Sequence, residues 1–280
     1  MASTKRVVIA ALIANFLIAV AKFIAWSITG SSSMLSEAYH SVSDTGNQVL
    51  LLLGIRLGSG EASRKHPFGR GKEQYFFAFV VSVMLFGVAG YASLRHGYHE
   101  LGAEHVEVNF TVNYAVLGAA FVFEMWALKN AYNGVKREMS EKGFGSIVEA
   151  FRKTKDAPLI TALTEDAVAV AGIVVAFASV GLTDLTGDAV YDAIGSIIIG
   201  LLLMGFALAL AWENRGLIVG EGVTKEERGR LVEAVEGTDG VNSLVDLRTL
   251  HMGPNRVLVT ADVEFDDGMK TDEVEKAVNR

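Results

Sequence analysis

The chain contains no cysteine, which excludes a disulfide framework, a cysteine-based zinc site and a thiol nucleophile. It has no H-E-x-x-H motif and no comparable set of acid, base and nucleophile, so the signature of a zinc-dependent protease is missing. It also lacks a block of basic residues that would mark a nucleic-acid footprint. The formal charge of the 280 residues is −7, carried mostly by loops and by the C-terminal stretch. What the chain has in excess is apolar. Hydrophobic residues make up 51% of it, and its mean hydropathy is +0.34. Long apolar runs fill positions 6 to 219, and the stretch after them is polar and charged. That asymmetry predicts a membrane domain over 1–219 followed by a small soluble domain over 220–280.

The opening MASTKRVVIAALIANFLIAVAKFIAWSITG superficially resembles a signal peptide. Its apolar run is too long for one, and it has no A-x-A cleavage site, so it reads as a first spanning helix. A helix needs about 20 mostly apolar residues to cross the hydrocarbon core. Six segments are expected to do so: about 6–29, 33–58, 73–99, 109–137, 158–183 and 189–217. The first half of the second, SSMLSEAYHSVSDTGNQ, would fail a hydropathy window. It is retained because the count then agrees with the loop charges. Arg56, Arg64, Lys65, Arg70 and Lys72 follow helix 2, while Lys136, Arg137, Lys142, Arg152, Lys153 and Lys155 follow helix 4. Lys5 and Arg6 precede helix 1. The opposite connections are poor in basic residues: SSS after helix 1, Glu100, Glu104 and Glu107 after helix 3, Asp184 and Asp188 after helix 5. By the positive-inside rule this predicts a multi-pass protein with both termini in the cytoplasm.

The tail has another pattern. In VTKEERGRLVEAVE, Thr224 is a plausible N-cap with Glu227 three residues on, and Leu231, Val232 and Val235 share a face. VNSLVDLRTLHM, a turn at GPNR, and the alternating VLVTADVEF predict two strands, and a second helix begins near Thr271. The αββα order suggests half of a ferredoxin-like fold, an α+β unit without its closing strand.

Ionisable groups inside a bilayer are costly and usually face a cavity or a partner. Helix 2 places Glu37, His40, Asp44 and Asn47 at spacings of three and four, on one stripe. His40 and Asp44, one turn apart, can bind one cation through an imidazole nitrogen and a carboxylate oxygen. This ligation suits zinc, with manganese, iron or cobalt also admissible. Helix 5 adds the adjacent Glu165 and Asp166. Ala162, Ala169 and Gly172 lie near the Asp166 face and would let another helix approach closely. Packing of helices 2 and 5 would make His40, Asp44 and Asp166 converge, with Glu165 contributing. The two adjacent acids point about 100° apart, which sets them on different faces.

A lone histidine or acid in a span can equally serve a packing hydrogen bond. Glu124 in helix 4 and Lys22 in helix 1 are expected to be either structural partners or snorkelling groups. Asn15 reads as a helix–helix hydrogen bond, and Glu37 as a solvated residue near the membrane edge. In the loop RKHPFGRGKEQYF, Pro67 and Gly69 enforce a turn and His66 is a weak candidate ligand. In the tail, His251 and Asp262 stand on consecutive strands, as ligands or as plain surface residues.

The strings SSSMLSEAYHSVSDTGNQVLLLLG, HPFGRGKEQYFFAF, TEDAVAVAGIVVA, YDAIGSIIIGLLL and RTLHMGPNRVLVTADVEF together resemble the cation diffusion facilitators, the zinc-transporter family. The resemblance covers nearly the whole chain. The Glu165–Asp166 pair is most similar to the branch typified by the ninth human zinc transporter. The resemblance implies a homodimer of six-helix protomers, alternating access, exchange of metal for protons, and a tetrahedral site with two ligands each from helices 2 and 5. His40, Asp44 and Asp166 match that pattern. The fourth position falls on Ala162, which cannot ligate, leaving Glu165, Asn47 or water. In the loop, a second histidine of the family pattern is replaced by Arg70, and in the tail a histidine position falls on Asp262. The expectation is therefore a secondary transporter that carries a divalent metal, zinc first, out of the cytoplasm, and is not an enzyme. Protonation of the ligands would compete with metal, and a histidine puts that competition near neutral pH. Alternatives are an intramembrane metalloenzyme, a metal sensor that binds without moving ions, and a carrier of another solute.

Overall fold

A computed structural model describes residues 2–102, 110–142, 157–254 and 256–279. The expected loop residues Glu104, Glu107, Arg152, Lys153 and Lys155 lie outside them. The described chain is mostly helical, with one small antiparallel sheet. In order it contains α1 (Ala2–Thr29), α2 (Ser32–Gly58), α3 (Glu73–Glu100), α4 (Phe110–Lys142), α5 (Ala157–Thr186), α6 (Val190–Val219), α7 (Lys225–Glu236), β1 (Val241–Gly253), β2 (Arg256–Phe265) and α8 (Thr271–Val278). Four helices among the described residues, α3 to α6, have stretches long and apolar enough to cross a membrane, and Asn15–Thr29 is a shorter apolar helix. The polar first half of α2 is why that helix falls below such a threshold.

Two compact units emerge. The first comprises residues 1–49 and 81–210, the second 50–80 and 211–280. The second unit thus takes in Leu50–Val80 as well as the tail, whereas the composition alone suggested a boundary at 219/220.

In the first unit the core is built from Met34, Leu85, Leu117, Ile173, Val180, Ile199 and Leu203, all buried. The outer face of α1 is apolar and open: Phe16, Val20, Ile24 and Ile28, four residues apart, are all exposed. In a soluble protein such a stripe would be covered; in a bilayer it meets lipid. Small residues draw α3 and α6 together. A methyl group at Gly200 would lie 2.6 Å from the Leu94 nitrogen, and one at Gly97 would lie 2.6 Å from the Ala193 oxygen. Only glycine permits those approaches. Leu85–Tyr91, in the middle of α3, forms a π-helical turn, a feature that the evenly apolar sequence there did not announce.

In the second unit, Thr224 caps α7. Its hydroxyl accepts from the Glu227 amide at 3.3 Å, and the Glu227 carboxylate accepts from the Thr224 amide at 3.0 Å, completing a capping box. β1 pairs antiparallel with β2 in a register that sets Leu247 opposite Ala261 and Gly253 opposite Arg256. Lys72 Nζ donates to the Ile218 carbonyl at 3.3 Å, and the backbone of Gly71 lies against Met252 and Gly253.

Candidate metal pathway along helix α2

The site begins with a tight turn. Gly30, with φ +68°, ends α1, and its amide donates to the Trp26 carbonyl at 2.7 Å. Two residues later α2 starts. Its orphan amides are capped from a distance: the Asp192 carboxylate of α6 accepts from the Ser32 amide at 2.5 Å, the Ser33 amide at 3.3 Å and the Ser31 hydroxyl at 3.1 Å. Next to it, the Ser33 and Ser179 hydroxyls bond at 2.7 Å, and those of Ser36 and Ser196 at 2.6 Å.

Across this short turn Lys22, seven residues before the end of α1, meets Glu37, five residues into α2. Lys22 Nζ donates to Glu37 Oε2 at 2.8 Å, with side-chain exposures of 1% and 0%. Glu37 is therefore not the solvated membrane-edge residue that its position suggested. It lies more than one turn into α2, fully buried, with Lys22 of α1 and Gly172 of α5 against it. At α5 the facing residue is Gly172, where a methyl group would stand 2.6 Å from Glu37 Oε1. The small residue predicted to admit another helix does so here.

The stripe then runs Ser33, Glu37, His40, Asp44, Asn47, at spacings of four, three, four and three. Over these 14 steps a helix rises about 21 Å. His40 is buried, and its Nε2 lies 3.5 Å from Asp44 Oδ2. Among the described residues neither ring nitrogen of His40 has a hydrogen-bond partner. One turn further on, Asn47 Nδ2 donates to Glu165 Oε1 of α5.

Asp166 follows Glu165 directly, a step of about 100° around α5. Its charge acts on Asp44. So does that of Glu124, which acts on His40 as well. Glu124 lies on the buried stripe of α4, seven residues after Leu117 and four after Ala120. Its membership in this cluster was signalled by that spacing alone.

The structure thus joins α2 to α5 through Asn47 and Glu165, and sets His40 beside Asp44. It does not gather a complete ligand shell: among the described residues no three histidine, aspartate or glutamate side chains stand close enough to hold one metal ion. The side-chain surroundings of Ala162 lie outside what is described. His66 belongs to the turn after α2, where its backbone pairs with Ser63, and Arg70 is engaged by Glu73 at 2.7 Å. His251 sits opposite Val257, and Asp262 opposite Asp246. The two candidates are five register steps apart, about 17 Å along the strands, so they cannot share an ion.

Fold and site together define a class: a multi-pass integral membrane protein with a stripe of buried polar and ionisable side chains along α2. The chain belongs to the cation efflux family, the cation diffusion facilitators, since residues 8–219 match the family model described as the cation efflux transmembrane domain. It is 33% identical to the protein named proton-coupled zinc antiporter SLC30A9, mitochondrial, of Xenopus laevis, over 95% of this chain and 47% of that protein. The human protein of the same name gives the same identity and coverage. Metal tolerance protein C4 of Arabidopsis thaliana is 29% identical, over 95% of this chain and 58% of that one. The chain therefore spans about half the length of these relatives.

Proposed function

We propose that this chain is a secondary transporter that moves a divalent transition-metal cation, zinc first, out of the cytoplasm in exchange for protons. The observation that carries this reading is His40. A buried imidazole with no partner on either nitrogen among the described residues is an unmet polar group that needs an explanation, and it stands 3.5 Å from the carboxylate of Asp44. A cation between them satisfies both. His40, Asp44 and Asp166 are the proposed primary ligands, with Glu165 or Asn47 completing the shell. Because these groups are held near one another without being closed into a shell, binding draws α5 toward α2. Asp166 turns in, and the Asn47–Glu165 bond yields. Such closure and release is what alternating access requires.

The relatives named as proton-coupled zinc antiporters support zinc and proton exchange. Manganese, iron or cobalt would use the same nitrogen and oxygen donors. Metal binds the deprotonated ligands, so protons arriving from the far side displace it. In this reading six helices, α1 to α6, span the membrane. Both termini and the αββα domain of 220–280 are cytoplasmic, and the protein is a homodimer. The loop charges support the orientation.

The test is zinc flux into proteoliposomes under an imposed pH gradient. Flux should follow the gradient in the unmodified protein and vanish in a folded Asp44→Ala variant. Flux indifferent to the gradient sinks the proton coupling. Zinc binding without flux points instead to a sensor.

A further inference from the structure

The proposed ligands leave unused a pair of charges that is fully buried one turn away. Lys22 and Glu37 bond at 2.8 Å, yet Glu37 Oε1 is buried with no partner among the described residues. Gly172 leaves that oxygen room on the α5 side. Glu37 precedes His40 by three residues, which sets their Cβ atoms about 5–6 Å apart on one helix face. Between Glu37 and the α1–α2 turn stand Ser33 and Ser36, whose hydroxyls bond those of Ser179 and Ser196, and at the turn Asp192 accepts from Ser31. Lys22 is also the positive charge that acts on both His40 and Asp44.

We infer that Glu37 is a transit station for the cation between the His40–Asp44 site and the α1–α2 end of the stripe, with Lys22 as the resident cation that occupies the station between passages. The inference rests on the transport reading above. A divalent ion and an ammonium repel and cannot both sit on one carboxylate. Lys22 has a flexible four-carbon stem on which its charge can withdraw and return. Its return expels the ion toward the turn and leaves no bare carboxylate at membrane depth.

The experiment uses the full chain with Lys22→Gln and Glu37→Gln combined, because removing both members of a buried pair is far better tolerated than removing one. Folding is checked by melting temperature, zinc affinity by equilibrium binding in detergent, and zinc flux in proteoliposomes. The expected result is a folded protein with unmodified zinc affinity and flux slowed about tenfold or more, a barrier increase of at least about 1.4 kcal/mol. Flux equal to the unmodified protein overturns the inference, leaving the pair a structural tie. A parallel fall of affinity and flux also overturns it, because Glu37 would then belong to the primary site. If the double variant does not fold, Glu37→Asp keeps both charges and shortens the reach. Slowed flux with unchanged affinity is again expected, and unchanged flux overturns the inference. Absence of zinc flux in the unmodified protein would instead defeat the transport reading itself.

Discussion

Replacing Asp192 with alanine should loosen the start of α2. In the folded protein its carboxylate receives the Ser32 and Ser33 amides and the Ser31 hydroxyl. Ser32 is 3% exposed and Ser33 0%, so water cannot take the vacated place without opening the turn. Two orphaned buried amides cost about 1–3 kcal/mol each. The Ser31 hydroxyl loses less, because it can rotate and because its oxygen already accepts from the Met34 amide at 3.2 Å. Losing a negative charge at a helix N-terminus adds about 0.3–1 kcal/mol. The sum is about 2–7 kcal/mol for Asp192→Ala. Asp192→Asn keeps one acceptor and should lose about half as much. The assay is reversible denaturant unfolding in mixed micelles, with the midpoint converted to free energy for all three proteins. An alanine variant within about 0.5 kcal/mol of the original, the range of an ordinary surface change, would refute the argument that this distant carboxylate caps α2.

Thr224→Ala should destabilise the tail by about 1 kcal/mol through loss of the capping box, read as fraying of α7 by amide hydrogen exchange. Gly200→Ala should cost about 1–3 kcal/mol or more and lower the melting temperature, because the added methyl meets the backbones of Leu94 and Gly90 at 2.6 and 2.8 Å, neither able to rotate away. His251→Ala and Asp262→Ala, singly or together, should leave zinc binding unchanged in equilibrium dialysis, since the register separates them; a lost equivalent of zinc would contradict that.

The helices were legible because their signals are long and redundant. Both ends of α2, α3 and α6 and the C-terminal ends of α1 and α5 fall within three residues of the segments read from hydropathy and loop charge, and the Thr224–Glu227 capping box was plain from four letters. The stripe of Glu37, His40, Asp44 and Asn47 was equally plain, since helical spacing alone puts these residues on one face. What escaped depends on partners distant in sequence. Asp192 reaches α2 across 160 positions, and no local pattern marks it as a cap. The π turn of α3 sits in a run so evenly apolar that a shift of face leaves no trace in the letters. Glu37 seemed solvated because it is near a helix end, but the shortness of the Gly30–Ser31 turn brings Lys22 to it, a consequence that counting back from the turn could have revealed. His251 and Asp262 were separate candidates on consecutive strands; counting outward from Gly253 and Arg256 sets them five register steps apart.

The central claim is that a divalent cation is held between α2 and α5. Its most direct test is anomalous diffraction at the zinc edge from crystals grown with zinc. A single strong peak in the first unit is expected, about 2.0–2.2 Å from a ring nitrogen of His40 and from carboxylate oxygens of Asp44 and Asp166. A zinc-loaded structure with no peak there, or with its peak at His66 or in the tail, would contradict it.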